Sequence, residues 1–198
     1  MAERSPKAAT YADLAAAPPH LVAEIVRGSL VTHPRPTPRH GLASSSLGEE
    51  LLGPFQKGRG GPGGWWFIDE PELHLGANVL VPDIAGWRRE RLPSLPDTAY
   101  LDTVPDWVCE VLSPSTEFHD RGAKRDIYGA AGVCFLWLVN PTAQQLEAFQ
   151  LVAGKWLLQT TVVGDQEVKI PPFDAAPFSL GALWPFDEPI DPTAVPTG

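Results

Sequence analysis

Three acidic residues interrupt segments of the sequence that are otherwise apolar. Glu24 lies in LVAEIV, Asp83 in VLVPDIAGW and Glu110 in WVCEVL, and each segment has the composition of a β-strand. An acid in a strand most often faces solvent or pairs with an arginine. Neighbouring strands are only about 4.8 Å apart, so carboxylates on one face of a sheet can also bind the same divalent cation. The pattern therefore predicts either ordinary strand charges or a metal site that activates water.

A lysine follows the third acid on a segment that is predicted to be helical. Asp120, Lys124 and Tyr128 are four residues apart and share one face of a helix that ends at Gly132. Lys124 either pairs with Asp120 at the surface or points inward as the counter-ion of the strand acids. In the inward arrangement it can orient an attacking water and stabilise a phosphorane-like transition state. The residues themselves leave both arrangements open.

His40, Arg88 and Arg89 are further candidates for contact with a substrate. His40 precedes a predicted helix, where a histidine either contacts substrate or serves as a surface or capping group. Arg88 and Arg89 follow Asp83 in the most concentrated basic segment of the sequence. They either bind phosphates or belong to a solvated loop whose charge Glu90 offsets.

Composition limits the classes of protein to consider. The chain has 198 residues, 43% hydrophobic and 20% charged, which is typical of one globular domain. We expect that domain over residues 1–186 and an acidic, proline-rich tail over residues 187–198. The net charge of −9 is unlike that of a strong nucleic-acid binder, which usually carries a basic face.

The sequence also predicts where the protein works. Cys109 and Cys134 both lie in apolar segments, so we interpret them as core residues, in keeping with a reducing cytoplasm. The sequence has neither a secretion signal nor an apolar run of about 18 residues. We therefore expect a cytoplasmic protein with no membrane partner.

Periodicity and turn residues predict the elements that position these side chains. Their order is helix, hairpin, helix, several strands, helix, strand and hairpin, which is typical of a mixed-sheet α/β or α+β domain. The hairpins turn at Arg27-Gly28 and Ala153-Gly154, and the second helix ends at Gly53-Pro54. CFLWLVN predicts a strand at the centre of the sheet, and EVKIPPF predicts a strand at its edge.

Several of these segments together resemble the Uma2 (DUF820) family of restriction-endonuclease-like proteins. VPDIAGW, PDWVCEVLSPST and HDRGAKRDIYGAAGVCFLWLVNP are the most specific, and EIVRGSL and PTPRH extend the resemblance to about residues 10–180. The resemblance implies a PD-(D/E)XK nuclease fold, in which helices flank a central mixed sheet and acids of the sheet bind a metal ion.

The resemblance also implies roles for particular residues. Asp83 and Glu110 match the positions that bind Mg²⁺, with Mn²⁺ as a possible substitute, and Glu24 matches an accessory acid. The usual lysine of the superfamily lies two residues after the second acid, where this chain has Leu112. Lys124 is the candidate that replaces it. In addition, we expect substrate contacts from a wider set of residues: His40, Arg88, Arg89, Asp120 and Tyr128.

The leading hypothesis is a Mg²⁺-dependent endonuclease that hydrolyses DNA. A homodimer is expected because nucleases of this fold often cut both strands as pairs. Two alternatives fit the acidic composition better, since an acidic surface repels long polyanions. One is a non-catalytic domain that uses the fold for binding or assembly, and the other is a metal-dependent hydrolase of a small phosphate or nucleotide.

Overall fold

A computed structural model describes residues 8–185, and the predicted C-terminal tail lies outside them. The α-helices are α1 (Tyr11–Ala15), α2 (Pro38–Leu51), α3 (Glu117–His119) and α4 (Arg125–Ala131). Two π-helical segments, Leu52–Gln56 and Asp120–Lys124, continue α2 and α3, and a 3₁₀ helix spans Leu180–Leu183. The strands are β1 (Leu21–Val26), β2 (Ser29–Pro34), β3 (Trp65–Asp69), β4 (Leu73–Leu75), β5 (Asn78–Leu80), β6 (Ile84–Arg88), β7 (Trp107–Val111), β8 (Phe135–Asn140), β9 (Gln145–Val152), β10 (Lys155–Val163), β11 (Glu167–Val168) and β12 (Phe178–Ser179).

A six-stranded mixed sheet forms the centre of the protein, in the order β10-β9-β8-β7-β6-β3. β7 and β8 are parallel and are connected through the helical residues between them, whereas every other neighbouring pair is antiparallel. The apolar strand β8 lies inside this sheet with four of its six residues buried, as predicted. The mixed sheet with a few helices confirms the fold class predicted from the sequence.

A second, antiparallel sheet has the order β2-β1-β5-β4 and carries Glu24 on β1. Its first hairpin turns at Arg27 and Gly28, whose φ values are 51° and 78°. Two consecutive left-handed residues are what a two-residue hairpin turn requires, so the predicted turn is confirmed. Glu24 therefore belongs to a different sheet from Glu110.

The central sheet has a hydrophobic core on each face. Trp107, Cys109 and Val111 of β7 pack on the side of α2 and the 3₁₀ helix. Val108 and Leu112 pack on the other side, with the residues of α4. Side chains alternate along a strand, so Glu110 shares the second face and points towards α4.

The segment that carries Asp83 is a loop and not part of a strand. The sequence predicted one strand over NVLVPDIAGW, but the structure divides it into β5 and β6, which belong to different sheets. Pro82 lies at the division because proline cannot donate a hydrogen bond to a ladder. Val81, Pro82 and Asp83 thus connect the two sheets.

Three smaller predictions were also wrong. The second helix does not end at Gly53-Pro54 but continues as a π-helical turn to Gln56, which places Phe55 in the core. EVKIPPF does not extend the central sheet, because β11 has only two residues and pairs with β12. Cys134 is exposed, although Cys109 is buried as expected.

Among residues 8–185, no helix is long and apolar enough to cross a membrane.

Candidate active site

Lys124 lies at the centre of a buried group of acidic side chains. Its Nζ is 2.9 Å from Glu110 Oε1, 3.1 Å from Glu24 Oε1 and 3.4 Å from Asp120 Oδ1. The same nitrogen is 3.4 Å from the carbonyl oxygen of Val81. Lys124 is only 3% exposed, so its side chain has the inward arrangement of the two that the sequence left open. We call Glu24, Asp83, Glu110, Asp120 and Lys124 the acidic cluster.

The helical residues after β7 supply one side of this cluster. Asp120 and Lys124 are the first and last residues of the π-helical segment, and Tyr128 follows in α4. All three are buried, as expected of residues that share one face. Tyr128 donates a 2.6 Å hydrogen bond to Glu110 Oε1. Its complete burial places Tyr128 behind Glu110, and not at a surface that substrate could touch as the sequence suggested.

Asp83 is held at the edge of the cluster by two contacts. Its Oδ2 accepts a 2.6 Å hydrogen bond from the backbone N–H of Val111, at the end of β7. Its Oδ1 is 2.5 Å from Nε2 of His40. His40 lies in the first turn of α2, where Thr37 caps the helix and accepts a hydrogen bond from the His40 N–H. The cap and the strand end therefore fix the carboxylate between them.

Glu24 ties the second sheet to the cluster. Its Oε1 accepts a 2.7 Å hydrogen bond from the N–H of Val81, and its Oε2 is 3.5 Å from Nε2 of His33. Both oxygens are thus engaged by the protein. Because Val81 begins the loop that carries Asp83, Glu24 positions that loop.

The ionisation of these groups reflects their burial and the charge of Lys124. Burial alone raises the pKa of Glu24, but the charge of Lys124, His33 and the Val81 N–H together lower it to about 2. Burial raises the pKa of Glu110 well above its ordinary value and also raises that of Asp120, with Lys124 opposing both shifts. Burial lowers the pKa of Lys124, but the acids around it outweigh that effect, so its pKa is raised and it stays protonated.

The cluster has more acidic groups than cations to neutralise them. Three carboxyl groups, those of Glu24, Glu110 and Asp120, share the charge of Lys124, and Asp83 lies beside them with His40 as its partner. Apart from Lys124 at 3.4 Å, Asp120 Oδ1 is buried without a hydrogen-bond partner. Carboxylate oxygens are the donors that Mg²⁺ prefers, so the chemistry of the cluster fits a divalent ion. Within residues 8–185, however, no three acidic, histidine or cysteine side chains converge as a complete metal site. Mg²⁺ is usually bound by one or two carboxylates with water or phosphate completing the shell, which fits Asp83 and Glu110 as its protein ligands.

A cavity of about 240 Å³ opens onto the cluster. Its acidic and basic lining includes His33, His40, Asp83, Glu110, Asp120 and Lys124. Its walls include Val22, Pro34, Pro36 and Pro114. The buried acids and the cavity together make a site in which a phosphate group could meet a metal ion.

Arg88 and Arg89, predicted as substrate contacts, do not line this cavity. Arg88 ends β6, whereas Asp83 precedes it, so about 16 Å of extended chain separates them. The guanidinium carbons of Arg88 and Arg89 lie 4.8 and 4.1 Å from the ring centres of Trp65 and Trp66. Arg89 also donates to the carbonyl oxygen of Gln56. These arginines pack against the protein and away from the acidic cluster.

Sequence reasoning missed His33, which lines the cavity and pairs with Glu24. The signal was present in the first hairpin. A turn at Arg27-Gly28 places His33 opposite Val22 and Val31 opposite Glu24. Residues two apart on a strand share a face, so His33 had to lie on the same side of the sheet as Glu24.

The mixed sheet, with Glu110 on β7, Asp83 in the loop before β6 and Lys124 on the helical segment after β7, defines a restriction-endonuclease-like fold. The model of the Uma2 family, described as "Putative restriction endonuclease", matches residues 8–180, and the chain belongs to this family. A crystal structure from Anabaena variabilis ATCC 29413, described as "a putative nuclease belonging to DUF820", is 21% identical with a TM-score of 0.65. The match covers 83% of this chain and 90% of that chain, and it supports the fold. No curated protein matches the chain by sequence.

Proposed function

We propose that this protein is a Mg²⁺-dependent endonuclease that hydrolyses phosphodiester bonds of DNA at the acidic cluster. The observation that carries the proposal is the inward position of Lys124, 2.9 Å from Glu110 and beside the cavity that Asp83 also lines. If Lys124 pointed to the surface, the acidic cluster would lack the positive charge that stabilises the transition state of phosphodiester hydrolysis. Membership of a family described as "Putative restriction endonuclease" supports the class of reaction.

Asp83 and Glu110 are the residues that would hold Mg²⁺, or Mn²⁺ in its place. When bound, the ion supplies Lewis acidity towards a phosphoryl oxygen and lowers the pKa of a bound water. Glu24 is not needed as a ligand, because Val81, His33 and Lys124 engage its two oxygens.

The other residues of the cluster orient these ligands and supply charge. Tyr128 and Lys124 both contact Oε1 of Glu110, so they hold its carboxyl group in one orientation. The Val111 N–H and His40 hold Asp83 in the same way. Outer-shell partners of this kind orient ligands and tune their affinity for metal. Lys124 supplies a fixed positive charge beside the place where negative charge develops on the phosphoryl oxygens.

His40 and Asp120 remain our candidates for direct contact with substrate, since both line the cavity. Nδ1 of His40 is buried without a hydrogen-bond partner, so it can hydrogen-bond to a group that enters the cavity.

A second candidate function is hydrolysis of a small phosphate or nucleotide. The size of the cavity favours it, as does the net charge of −9, which repels a long polyanion. It uses the same residues and differs in substrate alone.

The test is cleavage of labelled DNA oligonucleotides with Mg²⁺, with mononucleotides as parallel substrates. We expect Asp83→Asn and Glu110→Gln each to slow DNA cleavage by at least 100-fold, while Glu49→Gln, a substitution on the exposed side of α2, has no effect. Unchanged rates in both cluster variants would overturn the assignment of the site. Hydrolysis of mononucleotides without cleavage of DNA would favour the second function, and inactivity on both would favour a binding or assembly role.

We also propose that two copies associate through β10. This strand is an outer edge of the central sheet, and Leu157 and Leu158 on it are half exposed. An unpaired edge with exposed leucines readily adds another strand. A cytoplasmic location, expected from the sequence, stays a prediction.

A further inference from the structure

We propose that the DNA strand must be unpaired to reach the acidic cluster, so that the substrate class is single-stranded DNA or a strand displaced from a duplex. This inference rests on the proposed nuclease function and adds the form of DNA that the site accepts. It follows from the depth of the cluster, the walls of its cavity and the charge around it.

The reactive groups lie below the surface of the protein. Glu110 and Asp120 are each 2% exposed, Lys124 is 3% exposed, and the side chain of Asp83 is 15% exposed. A phosphate therefore has to enter the cavity before it can meet these groups. In a duplex, stacked and paired bases hold each phosphate on a continuous outer surface. An unpaired strand can bend to carry one phosphate into the cavity, as single strands do for enzymes that act on a nucleotide inside a pocket.

The walls of the cavity suit the apolar surfaces of a nucleotide. Val22 lines one wall from β1, and Pro34, Pro36 and Pro114 line others. These side chains offer apolar surface and, in the prolines, rigid rings. In a paired and stacked nucleotide the faces of the base are covered by its neighbours. An unpaired strand exposes base and sugar faces, which bind apolar or aromatic walls without regard to sequence.

The charge of the protein also favours a single strand over a duplex. The lysine and arginine side chains that line the cavity are Lys124, which its acids occupy, and Arg35, which is 3.4 Å from Glu70. The net charge of the whole chain is −9. Duplex DNA carries one negative charge for about every 1.7 Å of its axis, and a single strand has a lower charge density. With few cations to offset repulsion, the single strand meets the smaller barrier.

The experiment uses a fluorescent DNA oligonucleotide that contains a duplex half and an unpaired half, with full-length protein and Mg²⁺. We expect cleavage in the unpaired half to be at least tenfold faster than in the duplex half. Val22→Phe, which fills the cavity from its wall, should slow cleavage of the unpaired half by at least tenfold. Leu30→Phe adds the same ring to an exposed position on the same hairpin and should leave the rate unchanged. If Val22→Phe fails to fold by thermal unfolding, Ser115→Trp at the exposed rim of the cavity replaces it.

Binding provides a second readout that does not depend on cleavage. Fluorescence anisotropy without divalent metal compares a single-stranded oligonucleotide with the duplex of the same sequence. We expect at least fivefold tighter binding of the single strand, and loss of that preference in the cavity-filling variant. Equal cleavage of both halves would overturn the inference and leave the nuclease function intact. If neither half is cleaved, the nuclease function fails, and the test of the inference is then the binding comparison. Tighter binding of the single strand would support the inference, and equal binding of single strand and duplex would overturn it.

Discussion

At the scale of single residues, Lys124 neutralises acids that are otherwise buried without enough positive charge. We predict that Lys124→Met lowers the free energy of unfolding by about 3–5 kcal/mol, because removal of one partner leaves buried charges uncompensated. Urea denaturation at neutral pH measures the loss. Lys169→Met, at an exposed position after β11, is the matched control and should change stability by less than about 0.5 kcal/mol. A loss for Lys124→Met as small as that of the control would contradict the central position of Lys124.

Tyr128 acts through Glu110, so it is a positioning residue. Tyr128→Phe keeps the ring in the core and removes the hydroxyl group that donates to Glu110 Oε1. We predict a loss of about 1 kcal/mol of stability, as for a typical hydrogen bond. We also predict a roughly 10- to 100-fold weaker affinity for Mn²⁺, as for other outer-shell partners. Urea denaturation measures the effect on stability, and calorimetric titration of Mn²⁺ measures the effect on affinity. An unchanged affinity would limit Tyr128 to a packing role.

Glu24 makes the stability of the protein depend on pH. Its pKa is about 2 in the folded protein, below the ordinary value of 4.5. The stabilisation is therefore fully present above about pH 4.5 and is lost as the pH falls towards 2. At neutral pH its size is on the order of 3 kcal/mol. We predict that Glu24→Gln lowers stability at pH 6 and that its difference from wild type shrinks at pH 3. Urea denaturation at both pH values tests this, and a difference that grows on acidification would contradict the sign.

The residues of the acidic cluster could be named from the sequence, but their orientation could not, and neither could the contribution of His33 to the cavity. Acids inside apolar strands and the four-residue spacing of Asp120, Lys124 and Tyr128 are visible in the chain itself. An Asp-Lys pair with that spacing looks the same whether its helix face is solvated or buried. Side chains alternate along β7, so Glu110 points towards α4. The packing of the helical residues against this face of the sheet is what turns Lys124 inward. Likewise, the packing of Arg88 on Trp65 depends on the antiparallel pairing of β3 with β6.

At the scale of elements, the helical residues after β7 must pack closely on β10 to hold Lys124 in place. A Cβ atom added at Gly129 would lie 2.9 Å from Nε1 of Trp156, which donates to the carbonyl oxygen of Arg125. A Cβ atom added at Gly122, in the π-helical segment, would meet nothing within 4 Å. The two glycines therefore offer a matched pair of substitutions.

We predict opposite effects for the two alanine variants. Gly129→Ala should destabilise by about 1–3 kcal/mol, because the added methyl group overpacks the contact with Trp156. Gly122→Ala should be neutral or stabilising by up to about 1 kcal/mol, since alanine favours a helix over glycine. Thermal unfolding of both variants measures the difference. Equal shifts in the midpoint would contradict the packing of α4 against Trp156.

The types of the main elements were predictable, and the exceptions have identifiable causes. Hairpin turns are specified locally by residues such as Arg27-Gly28, so the pairing of β1 with β2 followed from the sequence. The assignment of strands to two sheets did not, because Pro82 breaks a segment that is apolar on both sides. The π-helical segments were not predicted, because a single π-helical turn hardly changes the spacing of apolar residues along a helix.

At the scale of the whole molecule, two sheets meet at the acidic cluster while β10 stays open at the far edge of the larger one. We predict that wild type sediments as a dimer at micromolar concentration and that Leu158→Glu sediments as a monomer. Leu42→Glu, at an exposed leucine of α2, is the control and should remain a dimer. Wild type that sediments as a monomer would contradict the pairing.

We propose that Asp83 and Glu110 bind a divalent ion in the cavity, and calorimetric titration of Mn²⁺ into the protein measures this binding. The comparison is between wild type, Glu110→Gln, which preserves the shape of the side chain, and the exposed variant Glu49→Gln. We predict that wild type and Glu49→Gln bind an ion with equal affinity, and that Glu110→Gln binds it at least tenfold more weakly. No binding to wild type at millimolar Mn²⁺, or equal binding to all three proteins, would contradict the claim.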